Sequence, residues 1–499
     1  MRGPQGNIFS LDFSAANRFL YSAGTCERIF QYDVAYIGTP SGTSTTAGRL
    51  PDHVYEDNND SIRSLTCHPF QDEILISASE DGTIRRYDWR QGGAPPSNQD
   101  IIQTGKEVTD VKTHPTMEHI FADCDVAGRV SLRDARMAFG SLPKRSNEGI
   151  IQRYNTKLTK KTYPHLSHPE SSSIAFDKDG TKLAITFLHY LPTIYAVSDP
   201  NPLAVLSGKN FPDGTPVPSN QRTYSNSCTM KHGAFGLAGL ENDDMYAAGS
   251  DDFYCYIWRI PPLPQLLDQR EIYTAEKWND YNNESSIAFT EGRHEPKIVP
   301  VEISTPLDRL TGHRSIVNTA LFHPHFLHVV TAGVEKNIVL HSPTPSSPCT
   351  QNLQRSPARV RELKDEDLEQ DRQNYYSALC GSYPMNSERP DDREERQTLS
   401  LFDQLSPYFH FVGLCGHVTM VITIKRVIFS LMPWGYFLPS FLFTVFFEKK
   451  EIAMFLRLDR GHLKVKTHRM RTMKEKKKKK TAQKHQTSSD KKLSLEDCF

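Results

Sequence analysis

Between residues 7 and 342 short apolar runs alternate with polar breaks, and one outline returns six times. In 61–90, SIRSLTCHPFQDEILISASEDGTIRRYDWR, an apolar run precedes a break, and Ile74-Leu75-Ile76 then leads into small residues. Glu80-Asp81-Gly82 offers a tight turn, and Thr83-Ile84 resumes an extended run that closes on Tyr87-Asp88. An Asp-Gly pair between apolar runs is a strong hairpin signal, because glycine takes positive φ without steric cost. Further copies lie at 7–34, 107–136, 173–198, 227–260 and 312–342. The closing aromatic, or its substitute, falls at 32, 87, 133, 195, 258 and 341.

A period of about 40–45 residues plus variable loops, with three or four short strands per unit, predicts an all-β fold, a β-propeller. One such sheet cannot bury both faces alone, so neighbouring blades must fold together. Six residues before the closing aromatic, where these repeats favour Asp, stand Asp81 and Asp252; Cys26, Ala127, His189 and Glu335 hold that place elsewhere. Asp81, Asp252 and His313 are expected to make hydrogen bonds within their blades. Trp89, Tyr254, Tyr256 and Trp258 are read as blade packing rather than a base-stacking platform. His114, His323 and His325, at the ends of first strands, are assigned to turns or core.

Outside the repeats, the Gly/Ser/Thr-rich stretch 36–52 reads as a flexible insertion. A longer one, 262–309, reads as a surface loop with a possible outer strand in EPKIVPVEI (295–303). The propeller is thus expected over 1–345, a charged, partly helical extension over 346–405, and a tail of different character over 406–499. In that tail IFSLMPWGYFLPSFLFTVFF (428–447) is long enough to cross a bilayer. Pro433 and Pro439 interrupt it, and the lysines beyond it favour the same side as the propeller. Translated non-coding or frameshifted bases are the first reading of the tail, a membrane segment the second, and a partner-binding helix the third. The lysine run 476–480 could act as a nuclear address.

Composition adds bounds. The chain has 499 residues, 37% hydrophobic and 24% charged, with basic and acidic residues in balance. That argues against a general polyanion binder, and no nucleic-acid partner is expected. Nine cysteines without C-x-x-C spacing, and no signal-like start, point to reduced thiols in the cytoplasm or nucleus. No P-loop, G-x-S-x-G or H-E-x-x-H motif occurs. The expectation is a binding module, with no catalytic residues, no cofactor and no metal site.

Gly312-His313 and Tyr87-Asp88 resemble the signatures of WD-repeat proteins. NSCTMK (226–231), GSDDFYCYIWRIP (249–261), LTGHRSIVN (310–318) and AGVEKNI (332–338) resemble one branch, the DDB- and cullin-4-associated factors. The likeness covers roughly residues 7–345, with a weaker echo in TLSLFDQL (398–405). It implies a seven-bladed propeller, of which six repeats are visible, the missing one upstream. It also implies a substrate receptor of a cullin–RING ubiquitin ligase that docks the DDB adaptor and presents an unidentified protein. The family's docking motif is W-D-x-R, and Y-D-W-R and R-D-A-R match it at Asp88, Arg90, Asp134 and Arg136. A guanidinium offers a planar fork of donors suited to carboxylates or carbonyls. The alternatives are a general WD-repeat scaffold without a ligase, or a membrane-anchored propeller in vesicle traffic.

Overall fold

The computed structural model describes residues 3–36, 50–91, 95–141, 145–161, 167–236, 244–280, 286–344, 353–361, 398–399 and 402–403. Beyond these it describes the strands Phe443–Val445, Ile452–Asp459 and His462–Arg469. Two compact units are present, 1–415 and 416–499. The described part of the second is a three-stranded antiparallel sheet. The rest of the 428–447 run lies outside the described residues. No described helix is long and apolar enough to cross a membrane.

The first unit is an all-β, propeller-type stack of small, mainly antiparallel sheets, or blades. Blade 1 comprises Ile8–Phe13, Phe19–Gly24, Ile29–Asp33 and His53–Tyr55. Blade 2 comprises Ile62–Cys67, Ile74–Ser79, Thr83–Asp88 and Ile101–Gln103. Blade 3 comprises Val108–Thr113, Ile120–Asp125, Val130–Asp134 and Ile150–Arg153. Blade 4 comprises Ser171–Phe176, Lys182–Phe187, Thr193–Ala196 and Pro202–Leu206. Blade 5 comprises Ala234–Gly236, Met245–Gly249, Cys255–Arg259 and Asp308–Leu310. Blade 6 has three strands, Val317–Phe322, Val329–Gly333 and Ile338–His341. The seventh blade implied by the resemblance is not among the described sheets.

Each junction between successive blades is apolar. Tyr21, Ala23 and Ile29 of blade 1 meet Leu65, Cys67, Leu75 and Tyr87 of blade 2. Ile76, Ala78 and Ile84 meet Val108, Val111 and Phe121 of blade 3. At the far end, Ala247, Cys255 and Ile257 of blade 5 meet Val317, Ala320 and Val329 of blade 6. Polar rungs between first strands fix the stacking. Asp12 accepts from the Cys67 amide at 2.7 Å, and Asp110 accepts from the Ile174 amide at 2.9 Å. Buried first strands need such partners, because an orphaned amide in the interior costs a full desolvation penalty.

The stretch 262–309 departs from the expected surface loop. Glu271–Tyr273, Ile287–Phe289 and Lys297–Val299 form a sheet with Leu158–Lys160 from the blade 3–blade 4 connection. Val301–Ile303 adds to blade 4 in parallel with Pro202–Leu206. The physical reason is apolar content: Phe289 and Ile298 are buried in the same cluster as Leu132, Leu183 and Tyr195. Most of 36–52 lies outside the described residues.

Candidate functional site

Every blade has two ends. The upper end carries the hairpins between second and third strands; the lower end carries the first–second turns and the close of the third strand. Gly82, at φ +78°, supplies the positive φ the blade 2 hairpin needs. At the upper end, Asp81 accepts from the Thr83 amide at 2.9 Å and pairs with the buried Arg85 at 2.8 Å. Arg85 also donates to Asn58 at 2.9 Å, and Asn58 donates to the Tyr87 hydroxyl at 3.1 Å. In blade 6 the chain of bonds runs from Glu335 to His313 at 2.5 Å, His313 to Thr331 at 2.6 Å, and Thr331 to His341 at 2.8 Å. Asp252 accepts from the Tyr256 hydroxyl at 2.6 Å, and the Trp258 indole donates to the Ser207 carbonyl at 2.8 Å. Blade 3 takes its turn carboxylate from Asp125, two residues before the Ala127 place, and Asp125 accepts from the Ala127 and Arg129 amides. These carboxylates and imidazoles are bound to their own blades. Among the described residues no group of three or more His, Cys, Asp and Glu is arranged to hold a metal.

The lower end is different. Ile74 pairs with Asp88 and Ile120 with Asp134, so both Asp-x-Arg sequences leave their blades at the end where the first–second turns lie. Asp88 accepts from the Arg90 amide at 3.2 Å, from its Nε at 2.9 Å and from its Nη2 at 2.6 Å. Asp134 does the same for Arg136, with 2.9, 3.1 and 2.7 Å, and caps the short helix Ala135–Ala138. Two blades in succession thus build one clamp, in which backbone turn and two-pronged ion pair stiffen each other. The bonds from Arg90 and Arg136 hold the Asp88 and Asp134 carboxyls below the usual carboxylate range. Arg90 and Arg136 stay 52% and 66% exposed, which sets them apart from Arg85. Between Asp88 and Arg90 in sequence, Trp89 stacks on Tyr21 and closes the blade 1–blade 2 core.

Arg133, at the closing-aromatic place of blade 3, is not a second free fork. It is buried, pairs with Asp123 at 2.5 Å and donates to the Glu148 carbonyl. Where Tyr87 fills blade 2 with a ring, blade 3 uses a buried ion pair.

Sequence reasoning missed what ties the first clamp to blade 3. Arg90 Nη1 donates to Gln71 at 2.9 Å, and Gln71 donates to Glu118 in the first–second turn of blade 3 at 2.6 Å. The turns themselves are built alike. His68 accepts from the Phe70 amide and His114 from the Met117 amide, each through Nδ1, which leaves Nε2–H to donate to Glu118 and Gly180 carbonyls at 3.0 and 2.9 Å. Burial lowers the pKa of both imidazoles, in keeping with that neutral tautomer. Ala16 extends the belt to blade 1 by donating to Asp72 at 2.8 Å. The recurring His-Pro at 68–69 and 114–115 was the available signal. Around the clamps Phe70, Met117 and Met137 are exposed. An exposed apolar set beside fixed polar groups is the composition of an interface centre rather than of a catalytic pocket.

Residues 49–88 match the family "WD domain, G-beta repeat". Over 348 residues, 70% of this chain, the sequence is 26% identical to human "DDB1- and CUL4-associated factor 5", covering 29% of that protein. The mouse protein of the same name is likewise 26% identical over 348 residues, with 28% of its length covered. The chain therefore spans less than a third of the length of these curated relatives.

Proposed function

Taking the chain as a WD-repeat protein that resembles DDB1- and CUL4-associated factor 5, we propose that it is a non-catalytic receptor subunit of a cullin-4 ubiquitin ligase. Its lower end docks the DDB1-type adaptor through Asp88–Arg90 and Asp134–Arg136, and another surface holds the protein to be modified. One observation carries the reading: the same exposed Asp-x-Arg clamp is built twice, in successive blades, and Arg90 of the first is tied through Gln71 to Glu118 of blade 3.

The structure changes the chemistry expected of the arginines. Each fork already gives Nε and Nη2 to its own aspartate, so a partner meets a neutralised, rigid plane rather than a bare cation. Such a plane stacks on apolar or peptide groups, and its ordering entropy is lost before docking. Phe70, Met117 and Met137 supply the apolar surround. The test is recovery of purified DDB1 by the full chain and by Arg90→Glu/Arg136→Glu. The variant places carboxylates beside Asp88 and Asp134, and binding is expected to fall on the order of a hundredfold or more. Arg259→Glu, an exposed site closing the third strand of blade 5, is the control and should bind as the unaltered chain does. Circular dichroism separates lost contact from lost fold. Full recovery by a folded double variant would remove the docking assignment.

A further inference from the structure

The upper hairpin of blade 5 departs from its neighbours at one place. Gly82 and Gly128 each stand one residue after the position where these repeats favour Asp, and they take φ of +78° and +74°. Blade 5 has Phe253 there instead, at φ +72°. A bulky side chain is rare in that backbone region and is held there only where its surroundings compensate. Here the compensation lies on the ring. The Arg222 guanidinium is 5.3 Å from the Phe253 ring centre and that of Arg361 is 5.8 Å from it, and Phe253 is 1% exposed. Two cations thus pack on one ring. Arg222 is anchored by donating to the Asp251 carbonyl at 2.7 Å. Burial pulls its pKa down, and the charges of Asp252, Asp251 and Asp403 oppose that pull.

Asp403 reaches this place on a short piece of the chain's own. Residues 398–399 and 402–403 have helical backbone. At helical spacing Leu399, Phe402 and Asp403 fall on one face. Leu399 and Asp403 are 3% and 1% exposed, and Asp403 pairs with Arg361. An apolar anchor with a carboxylate one turn on, set against guanidiniums and a ring, is the pattern of a helix docked on a recognition surface. Blade 5 does not need the segment for its own bonds, since Asp252 and Trp258 are satisfied by Tyr256 and Ser207. We infer that Arg222, Phe253 and Arg361 form a docking site for a helical segment of a partner protein, one with a leucine and, four residues on, an aspartate or glutamate. Residues 398–403 occupy that site in cis until such a partner displaces them. A tethered occupant acts at an effective concentration of about millimolar, so it sets a threshold that only a matching segment passes. The site lies at the end away from Asp88–Arg90 and Asp134–Arg136, and it does not depend on adaptor docking.

The probe is a fluorescein-labelled peptide of the sequence 393–406, read by anisotropy against the full chain. Leu399→Ser/Asp403→Asn in the chain releases the cis segment, and this variant should bind the peptide about tenfold or more tighter than the unaltered chain does. A peptide carrying Asp403→Lys should bind the same variant about tenfold or more weaker. Adding Arg361→Gln to the variant should shrink the difference between the two peptides. Equal binding of the first peptide by variant and unaltered chain overturns the inference, and so does equal binding of the two peptides. Should the double change disturb the fold, titration of the unaltered chain at higher peptide concentration asks the same question, because Asp403→Lys in the peptide must still weaken binding. Light scattering covers the other occupant. A mass above that of one chain, abolished by Leu399→Ser/Asp403→Asn, would make a second copy the occupant and overturn the inference. None of these failures touches recovery of DDB1, which reads the opposite end.

Discussion

Arg85 and Arg90 sit five residues apart and serve opposite ends of the same strand. Arg85 is buried, and its ion pair with Asp81 holds the hairpin closed; Arg90 stays exposed on its own aspartate. Removing one member of a buried pair leaves a charge without compensation, at a cost of about 3–5 kcal/mol. Asp81→Ala should therefore lower the unfolding free energy read from urea titration by that order, far more than any change at Arg90. The Asp-Gly turn was legible in sequence because glycine's positive φ is a local need. Asn58, which binds both Arg85 and Tyr87, was not, since its partners lie 27 and 29 residues on. A pH effect belongs to this scale too. Burial, and then the neighbouring His313, hold the His341 imidazole down at about 4. Between the ordinary value near 6.5 and about 4, the unfolded chain takes up a proton that the folded chain refuses. This contribution to stability is thus complete above about pH 6.5 and is lost as pH falls toward 4. Stability measured by denaturant at pH 7.5 and 5 should fall less in His341→Phe than in the unaltered chain; an equal fall would reject this linkage.

Among the elements, the 262–309 stretch shows what repeat counting cannot see. Its strands lack the repeat's period, so sequence reading left all but EPKIVPVEI (295–303) as loop, yet Phe289 and Ile298 belong to the blade 3–blade 4 core. Phe289→Ala should open a cavity and cost about 3–5 kcal/mol, whereas a true surface loop would tolerate the change. Thermal unfolding distinguishes the two. The lower-end belt is likewise an element-scale feature. Glu118→Ala frees Gln71, and through it Arg90, from blade 3 while leaving both Asp-x-Arg turns intact. Adaptor binding should weaken by about threefold to tenfold, as expected of a supporting contact rather than an anchor. Loss as large as that of the double arginine variant would instead make Glu118 a direct contact.

For the whole molecule, the repeat outline made the propeller legible, because each blade copies the same alternation of apolar run and turn. What the outline could not reveal is how the chain after blade 6 is used. Ser356 lies against the Gly312 position, and Arg361 lies over the Phe253 ring and pairs with Asp403. Leu399 and Asp403 are 3% and 1% exposed, so part of the TLSLFDQL echo is buried on the first unit. The chain should therefore divide near residue 405. Deleting 406–499 removes no described strand of the first unit and keeps the Arg361–Asp403 pair, so a single cooperative melt at an unchanged midpoint is expected. Deleting 346–499 also removes Arg361, Leu399 and Asp403. Uncovering their contacts should lower the midpoint by several degrees while the sheets still form. Calorimetry of both truncations reads this directly. If the shorter deletion alone abolishes the melt, residues past 405 belong to the fold of the blades. Equal midpoints for both would mean that the Arg361–Asp403 contact contributes nothing to it.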